Sequence, residues 1–353
     1  MFILDSHCDT PSQIYRLRDL SVDNPRGHVD FPKMKRGGID ACFFALYIPY
    51  KYTESEAIEY SGKLLAKLEE CISMNSDVAA FATSRQEAMA NKARGLISVF
   101  VGLENGSALG DDIGRLEWFY ERGVRYVTLC HNADNRICDS AAQGTTNHGL
   151  SRFGKEVVEK MNSLGMLVDC AHISDKSFYD VLDCSQSPVV STHSCCRALS
   201  DHRRNMSDDM IKALAENGGV IQIAFYPVFL SLEFNNVLEK SEIWQNGDSI
   251  EQEFISDPSD INKRQAWWDV LDKLQALPRP SYKLVNDHID HVVNLVGIDH
   301  VGIGSDFDGI AITPTGLEDI SKTSVIFEEM AYRGYSSEDI AKVAGGNFLK
   351  LLG

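Results

Sequence analysis

Eight short apolar runs, rich in β-branched and aromatic residues and separated by longer stretches with helical periodicity, constrain this chain more than any other feature. They are FIL before Asp5, ACFFALYI ending at Ile48, LISVFVGL ending at Leu103, VRYVTLC ending at Cys130, MLVDCA ending at Ala171, PVVST ending at Thr192, GVIQIAF ending at Phe225 and HVGIGS ending at Ser305. Strands buried on both faces read as continuous apolar runs, and strands that alternate with helices build parallel sheets. Eight such units predict an α/β fold, a (β/α)8 TIM barrel, and 353 residues suit one such barrel with insertions. A single catalytic domain over 1–353 is the expected organisation. Helix starts support it: Ser174 precedes Asp175, Ser207 precedes Asp208 and Asp209, and Ser336 with Asp339 has the form of a capping box. The acidic stretch 227–280 contains Pro227, Pro258, Pro278 and Pro280 and a helical pattern around Trp267 and Trp268, and is predicted to be an insertion between the seventh and eighth strands.

Catalytic residues of such a barrel project from the C-terminal ends of its strands. Run one is followed by His7-Cys8-Asp9, run three by Glu104, run four by His131, run five by His172, run six by His193 and run eight by Asp306. Six of eight strand ends therefore carry a metal-ligand or acid/base residue type. His7 and Asp9 are two apart, so an extended strand puts both on one face and Cys8 on the other. The HxD pattern alone is a weak signal, and its weight comes from the coincidence with the other ends. A buried carboxylate at Glu104 costs several kcal/mol unless it is paired or metal-bound. Imidazoles and carboxylates with no cysteine in register suit Zn²⁺ or a similar borderline ion such as Mn²⁺, Fe²⁺ or Co²⁺. Five ligands, His7, Asp9, Glu104, His172 and His193, are too few for two separate closed sites but suffice for two ions sharing Glu104 and a hydroxide. Such a pair, roughly 3.5–4 Å apart, activates water and polarises a carbonyl, which is hydrolytic chemistry.

Structural readings apply to the other histidines. His131 alone fits a packing residue donating to a backbone carbonyl as well as it fits a site residue. His202, His288, His291 and His300 are read as structural, with His288 and His291 at the surface of the helical segment DHIDHVV. Asp308 ranks below Asp306 because Gly309 signals that the strand has already turned.

The net charge of −17 repels phosphate backbones and anionic lipid, so neither nucleic acid nor membrane is an expected partner. With 44% hydrophobic and 24% charged residues the composition is that of a globular protein, and no apolar run approaches the roughly 18 residues of a membrane span. The start MFILDSHCDT has no basic segment followed by a long apolar one, so no signal peptide is expected. Nine cysteines without CxxC spacing suit reduced thiols and a cytoplasmic location, with Cys195 and Cys196 as packing residues.

The stretches DSHCDT, GLENG, LCHN, FGKEVVEKMNSLGMLVDCAHIS, STHS, RNMSDD, GSDFDG and GGNFLKLL together resemble the membrane dipeptidase (renal dipeptidase) family of metal-dependent, amidohydrolase-like barrels, nearly end to end. The resemblance implies two Zn²⁺ ions, one held by His7, Asp9 and the bridging Glu104, the other by Glu104, His172 and His193. It also implies that His131 contacts the scissile carbonyl, that Arg204 binds the C-terminal carboxylate of a dipeptide, that Tyr226 lies beside that carboxylate, and that Asp306 transfers protons. It further suggests tolerance of a D-residue at the C-terminal position, and homodimers are frequent in the family. A related hydrolase acting on lactones, phosphotriesters or other amides is the alternative, with HxD on the first strand and Glu104 on the third weighing against it. A catalytically silent barrel is disfavoured because His131 and Asp306 are not needed to hold metal.

Overall fold

Each of the eight apolar runs contributes a strand in the computed structural model, which describes residues 1–353. The strands are β1 (Leu4–Cys8), β2 (Ala41–Tyr47), β3 (Ala79–Phe81), β4 (Ile97–Glu104), β5 (Val124–Thr128), β6 (Leu167–Asp169), β7 (Val190–Ser194), β8 (Val220–Ile223) and β9 (Val301–Ile303). All pair in parallel, in the order β1-β2-β4-β5-β6-β7-β8-β9. The ring is completed between the β9 end and β1 by the Asp306 N–H donating to the His7 carbonyl (3.0 Å) and the Asp9 N–H donating to the Phe307 carbonyl (2.9 Å). The strand β3 was not anticipated. It is a three-residue Ala-Ala-Phe segment, too short to show a period, and it lies beside the start of β4 while β5 pairs with the end of β4.

Alternation sorts the side chains. Leu4, Ala41, Phe43, Phe100, Tyr126, Leu167 and Val190 form an inner cluster that Phe348, Leu349 and Leu352 plug from the C-terminal segment. Phe43 is at its centre, stacked on Phe100 at 4.8 Å and edge-on to Phe348 at 5.5 Å. The remaining strand residues, such as Cys42, Val99, Val101 and Val127, face the surrounding helices in the larger core. On β4, β5 and β6 the same parity carries Glu104, Thr128 and Asp169 to the inside, above Phe100, Tyr126 and Leu167.

Three strands carry an extra residue against a neighbour: in β5 it is Arg125, between Val124 and Tyr126, which pair with Val101 and Gly102, and the other two shape the site. Asp5 pairs with Cys42 and Cys8 with Phe44, so Ser6 and His7 oppose the single residue Phe43. Likewise Ser191 pairs with Ile221 and Ser194 with Ile223, so Thr192 and His193 oppose Gln222. An extra residue of this kind is a β-bulge, which re-aims side chains. Both bulges turn a histidine into the barrel. The strand β1 then ends at Cys8, and Asp9 adopts φ −92°, ψ 25° at the start of the helix Thr10–Tyr15. The expectation that His7 and Asp9 share a face through extended geometry is corrected: a bulge and a turn bring them together.

The segment 227–280 forms the helices Pro227–Leu230, Leu232–Glu239, Glu242–Ser256 and Ile261–Gln275, between β8 and β9. Arg26 ties it to the first loop, pairing with Asp272 at 2.7 Å and lying 5.1 Å over the Trp268 ring. The anticipated helix starts hold: Ser174, Ser207 and Ser336 each accept the N–H three residues on, and Ser336 with Asp339 makes a capping box. His288 is corrected from surface to interior, at 1% exposure, while His291 is half-buried and bonded to Asp208. All nine thiols are free, and Cys195 and Cys196 are buried. No helix is long and apolar enough to cross a membrane.

Candidate metal centre

The predicted site residues meet at the C-terminal mouth of the barrel. His7 and His193 come from the bulges in β1 and β7 and Glu104 is the last residue of β4. His172 and Asp306 each lie three residues past a strand, in left-handed backbone conformations with φ 69° and 64°. Left-handed conformations of non-glycine residues cost free energy and gather at functional sites.

Glu104 occupies the middle. Its Oε2 is 3.6 Å from His7 Nε2, which is itself 3.9 Å from Asp9 Oδ1. Its Oε1 is 3.1 Å from His172 Nε2 and 3.5 Å from His193 Nε2. The two oxygens of one carboxylate therefore face two different ligand groups. Potential ligand atoms of His7, Glu104 and His193, of Glu104, His131 and His172, and of His7, Asp9 and Asp306 lie within 4.8 Å of one another in each set.

These residues fit metal ions. His7 Nε2, Asp9 Oδ1 and Glu104 Oε2 are buried and have no hydrogen-bond partner, a costly arrangement for converging lone pairs unless a cation sits among them. Burial holds His172 and His193 well below the ordinary histidine range, so both are neutral as a metal requires. Burial also pushes Glu104 up to about 8 and Asp306 up to about 7, while burial and the Glu104 charge raise Asp9. Packed carboxylates raised in this way mark a place where positive charge belongs. The histidine rings are held from behind: His7 Nδ1 is 2.8 Å from the Tyr126 hydroxyl and His172 Nδ1 is 3.1 Å from Asn132 Oδ1. Sequence reasoning missed Tyr126 and Asn132, because a tyrosine in an apolar strand and an amide in a loop read as packing and turn. Asn132 follows His131 directly, which is the only hint the sequence offers.

The remaining predicted residues surround this cluster. The His131 ring is 4.3 Å from that of His172 and 4.9 Å from that of Tyr47, and burial lowers His131 to about 3, so it is neutral. Arg204 is buried, donates through Nη2 to the His193 carbonyl at 3.2 Å, and leaves Nε without a partner. Its guanidinium lies 5.3 Å over Phe229, and the Tyr226 ring meets Phe229 edge-on at 5.0 Å. The lower-ranked Asp308 is turned away, pairing with Arg18 at 2.5 Å and accepting from Thr10 at 2.9 Å. His202 packs on Phe229 and His300 bonds to the Gly219 carbonyl, both as structural residues.

Imidazole and carboxylate ligands gathered at the mouth of a parallel barrel define a metal-dependent hydrolase. The chain belongs to the membrane dipeptidase family (peptidase family M19), whose profile matches residues 1–353, and it is a metallo-dipeptidase, a hydrolase acting on peptide bonds. Among its relatives, dipeptidase aclJ of Aspergillus oryzae is 32% identical over 97% of this chain and 73% of that protein. Dipeptidase tcpJ of Claviceps purpurea is 30% identical over 99% of this chain and 76% of that protein. The crystal structure of the probable dipeptidase PvdM from Pseudomonas aeruginosa matches with a TM-score of 0.85 at 27% identity, covering 100% of this chain and 95% of that one. A metallopeptidase from Rhodobacter sphaeroides shares the fold, with a TM-score of 0.82 at 22% identity over 100% of this chain and 98% of that one.

Proposed function

We propose that this metallo-dipeptidase is a binuclear zinc enzyme whose two ions share Glu104, and that it accepts dipeptides with either an L- or a D-residue at the C-terminal position. The observation that carries the reading is the division of Glu104, with Oε2 toward His7 and Asp9 and Oε1 toward His172 and His193. Three imidazoles and two carboxylates without a thiol suit zinc. When bound, such ions supply Lewis-acid activation of the attacking water and of the scissile carbonyl.

The chain's own residues then do the rest. The guanidinium of Arg204, with its free Nε, grips the substrate carboxylate and sets one residue as the distance from chain end to scissile bond. Tyr226, edge-on to the same Phe229 ring that underlies the Arg204 guanidinium, lies beside that carboxylate. Neutral His131 donates one N–H toward the carbonyl oxygen as it gains negative charge, an interaction typically worth about 3 kcal/mol. Asp306 takes the proton of the attacking water and passes it to the leaving amine. Family membership favours peptides over lactones or phosphotriesters as substrates. Acceptance of a D-residue is supported by the Rhodobacter sphaeroides relative, which was captured with a phosphinate mimic of L-Ala-D-Ala.

The test is zinc content by elemental analysis together with rates on L-Ala-L-Ala and L-Ala-D-Ala, for wild type, Glu104→Gln and Asp306→Asn. The expected result is two zinc equivalents and turnover of both substrates in wild type, metal loss in Glu104→Gln, and a zinc-loaded but slow Asp306→Asn. An active protein free of metal would sink the binuclear reading, and turnover of L-Ala-L-Ala alone would remove the stereochemical part.

A further inference from the structure

We infer that Asp169 and Thr192 form a relay that decides which nitrogen of His193 faces the metal centre, which makes both of them positioning residues; the inference rests on the metal-site reading above. Asp169 is the one charged residue of the run MLVDCA, and it is fully buried at the inner end of β6. Its Oδ1 accepts from the Thr192 N–H at 2.8 Å and from the Ala171 N–H at 3.1 Å. Its Oδ2 accepts from the Thr192 hydroxyl at 2.7 Å and from the Thr128 hydroxyl. The two backbone N–H groups can only donate, and the two hydroxyls complete a set of donors that satisfies an ionised carboxylate without a proton of its own.

That arrangement propagates. Thr192 has a single hydroxyl proton, and Asp169 takes it. Toward His193 Nδ1, 2.9 Å away, the Thr192 oxygen can therefore only accept. His193 must carry its proton on Nδ1 and present a bare Nε2, which is the atom 3.5 Å from Glu104 Oε1. The opposite tautomer would take the Thr192 proton away from Asp169 and aim an N–H at His172 Nε2, 2.9 Å away, in a site that needs lone pairs. The bulge in β7 is what lets Thr192 and His193 both reach the interior and meet. The Thr192 oxygen also lies 3.5 Å from His7 Nδ1, but that nitrogen is nearer the Tyr126 hydroxyl at 2.8 Å. His172 is held by an amide, so His193 is the imidazole that depends most on Thr192 and, through it, on the Asp169 carboxylate. Outer partners of this kind orient a histidine ligand and raise its basicity.

The experiment titrates the metal-free protein with Zn²⁺ alone, against a competing chelator, for wild type, Thr192→Val and Thr192→Ser, and records ¹⁵N histidine spectra of the zinc-loaded wild type. Valine keeps the shape and deletes the hydroxyl, while serine restores it. Thr192→Val is expected to weaken one of two Zn²⁺ sites by about 10–100-fold, with Thr192→Ser close to wild type. His193, assigned by the signal lost in His193→Gln, is expected to carry its proton on Nδ1. Wild-type affinity in Thr192→Val, or equal weakening in Thr192→Ser, would show that the hydroxyl is not a relay. Should Thr192→Val fail to fold, the wild-type spectra still decide, because a His193 proton on Nε2 overturns the inference. A wild type that takes up no Zn²⁺ overturns the metal-site reading itself, and the relay with it, whereas two wild-type sites left untouched by the variants overturn the relay alone.

Discussion

His288 is enclosed by protein, its Nδ1 accepting the Cys196 N–H at 3.0 Å and its Nε2 donating to the Leu230 carbonyl at 3.3 Å. Acceptance at Nδ1 requires the neutral ring, and burial lowers the pKa to about 4 from the ordinary 6.5, outweighing the Leu230 contact, which favours the protonated form. Between those values the unfolded chain binds a proton that the native protein refuses, so stability is fully present above pH 6.5 and falls as pH drops towards 4. At 1.36 kcal/mol per unit, this residue alone removes on the order of 3 kcal/mol over that window. His288→Asn keeps an acceptor near the Nδ1 position without titrating, and should give a flatter dependence of the denaturation midpoint between pH 7 and 4.5. Equal slopes would exclude His288 as a source of acid sensitivity. Arg204 is tested by kinetics. If it holds the substrate carboxylate, Arg204→Met loses a charge-assisted bond of about 1.5–3 kcal/mol, and KM for L-Ala-L-Ala should rise about 10–100-fold. Wild type should discriminate against the C-terminal amide of that dipeptide, and the variant should not; a variant that keeps the preference would clear Arg204 of this role.

Among the elements, β4 shows how a strand can be specified for its neighbour. A Cβ built on Gly102 would lie 2.2 Å from the Tyr126 ring, so glycine there makes room for the phenol that reaches His7. Gly102→Ala should cost about 1–3 kcal/mol by overpacking and also reduce zinc affinity, measured by denaturation and metal titration. A stable variant with unchanged zinc binding would mean that Tyr126 has room to move. Gly304 and Gly309 have the same relation to Thr192 and Asp9, where a built Cβ would come within 1.8 Å of the Thr192 carbonyl and 2.0 Å of Asp9 Oδ2. The apolar runs revealed the barrel strands because parallel strands covered on both faces must be apolar throughout. They could not reveal β3, which is held by pairing with β4 and has no pattern of its own, nor the bulges in β1 and β7.

For the whole molecule, the candidate metal ligands span the ring from β1 through β4 to β7, so an ion that held them together would also brace the barrel. Bound Zn²⁺ at 100 times its dissociation constant stabilises by about 2.7 kcal/mol per site. Removing metal with EDTA should therefore lower Tm by several degrees, and added Zn²⁺ should restore it, as followed by scanning fluorimetry. An unchanged Tm would mean that Zn²⁺ does not bind the native protein in preference to the unfolded chain. The helices of 227–280 begin directly after Tyr226, the first residue after the Phe225 that ends the β8 run.

Residue order alone sufficed for the barrel and for placing the candidate metal ligands at strand ends, because apolar runs mark strands and the residues just past them gather at one mouth. It sufficed for Glu104, whose inward direction follows from strict alternation along β4. It did not suffice for His7 and His193. Their direction depends on one extra residue in each strand relative to its neighbour, a property of pairing that neither strand carries by itself. Tyr126, Asn132, Thr192 and Asp169 were decided at the same level, since a hydroxyl, amide or carboxylate becomes a partner for a histidine only when strands far apart in the chain are brought within hydrogen-bonding distance.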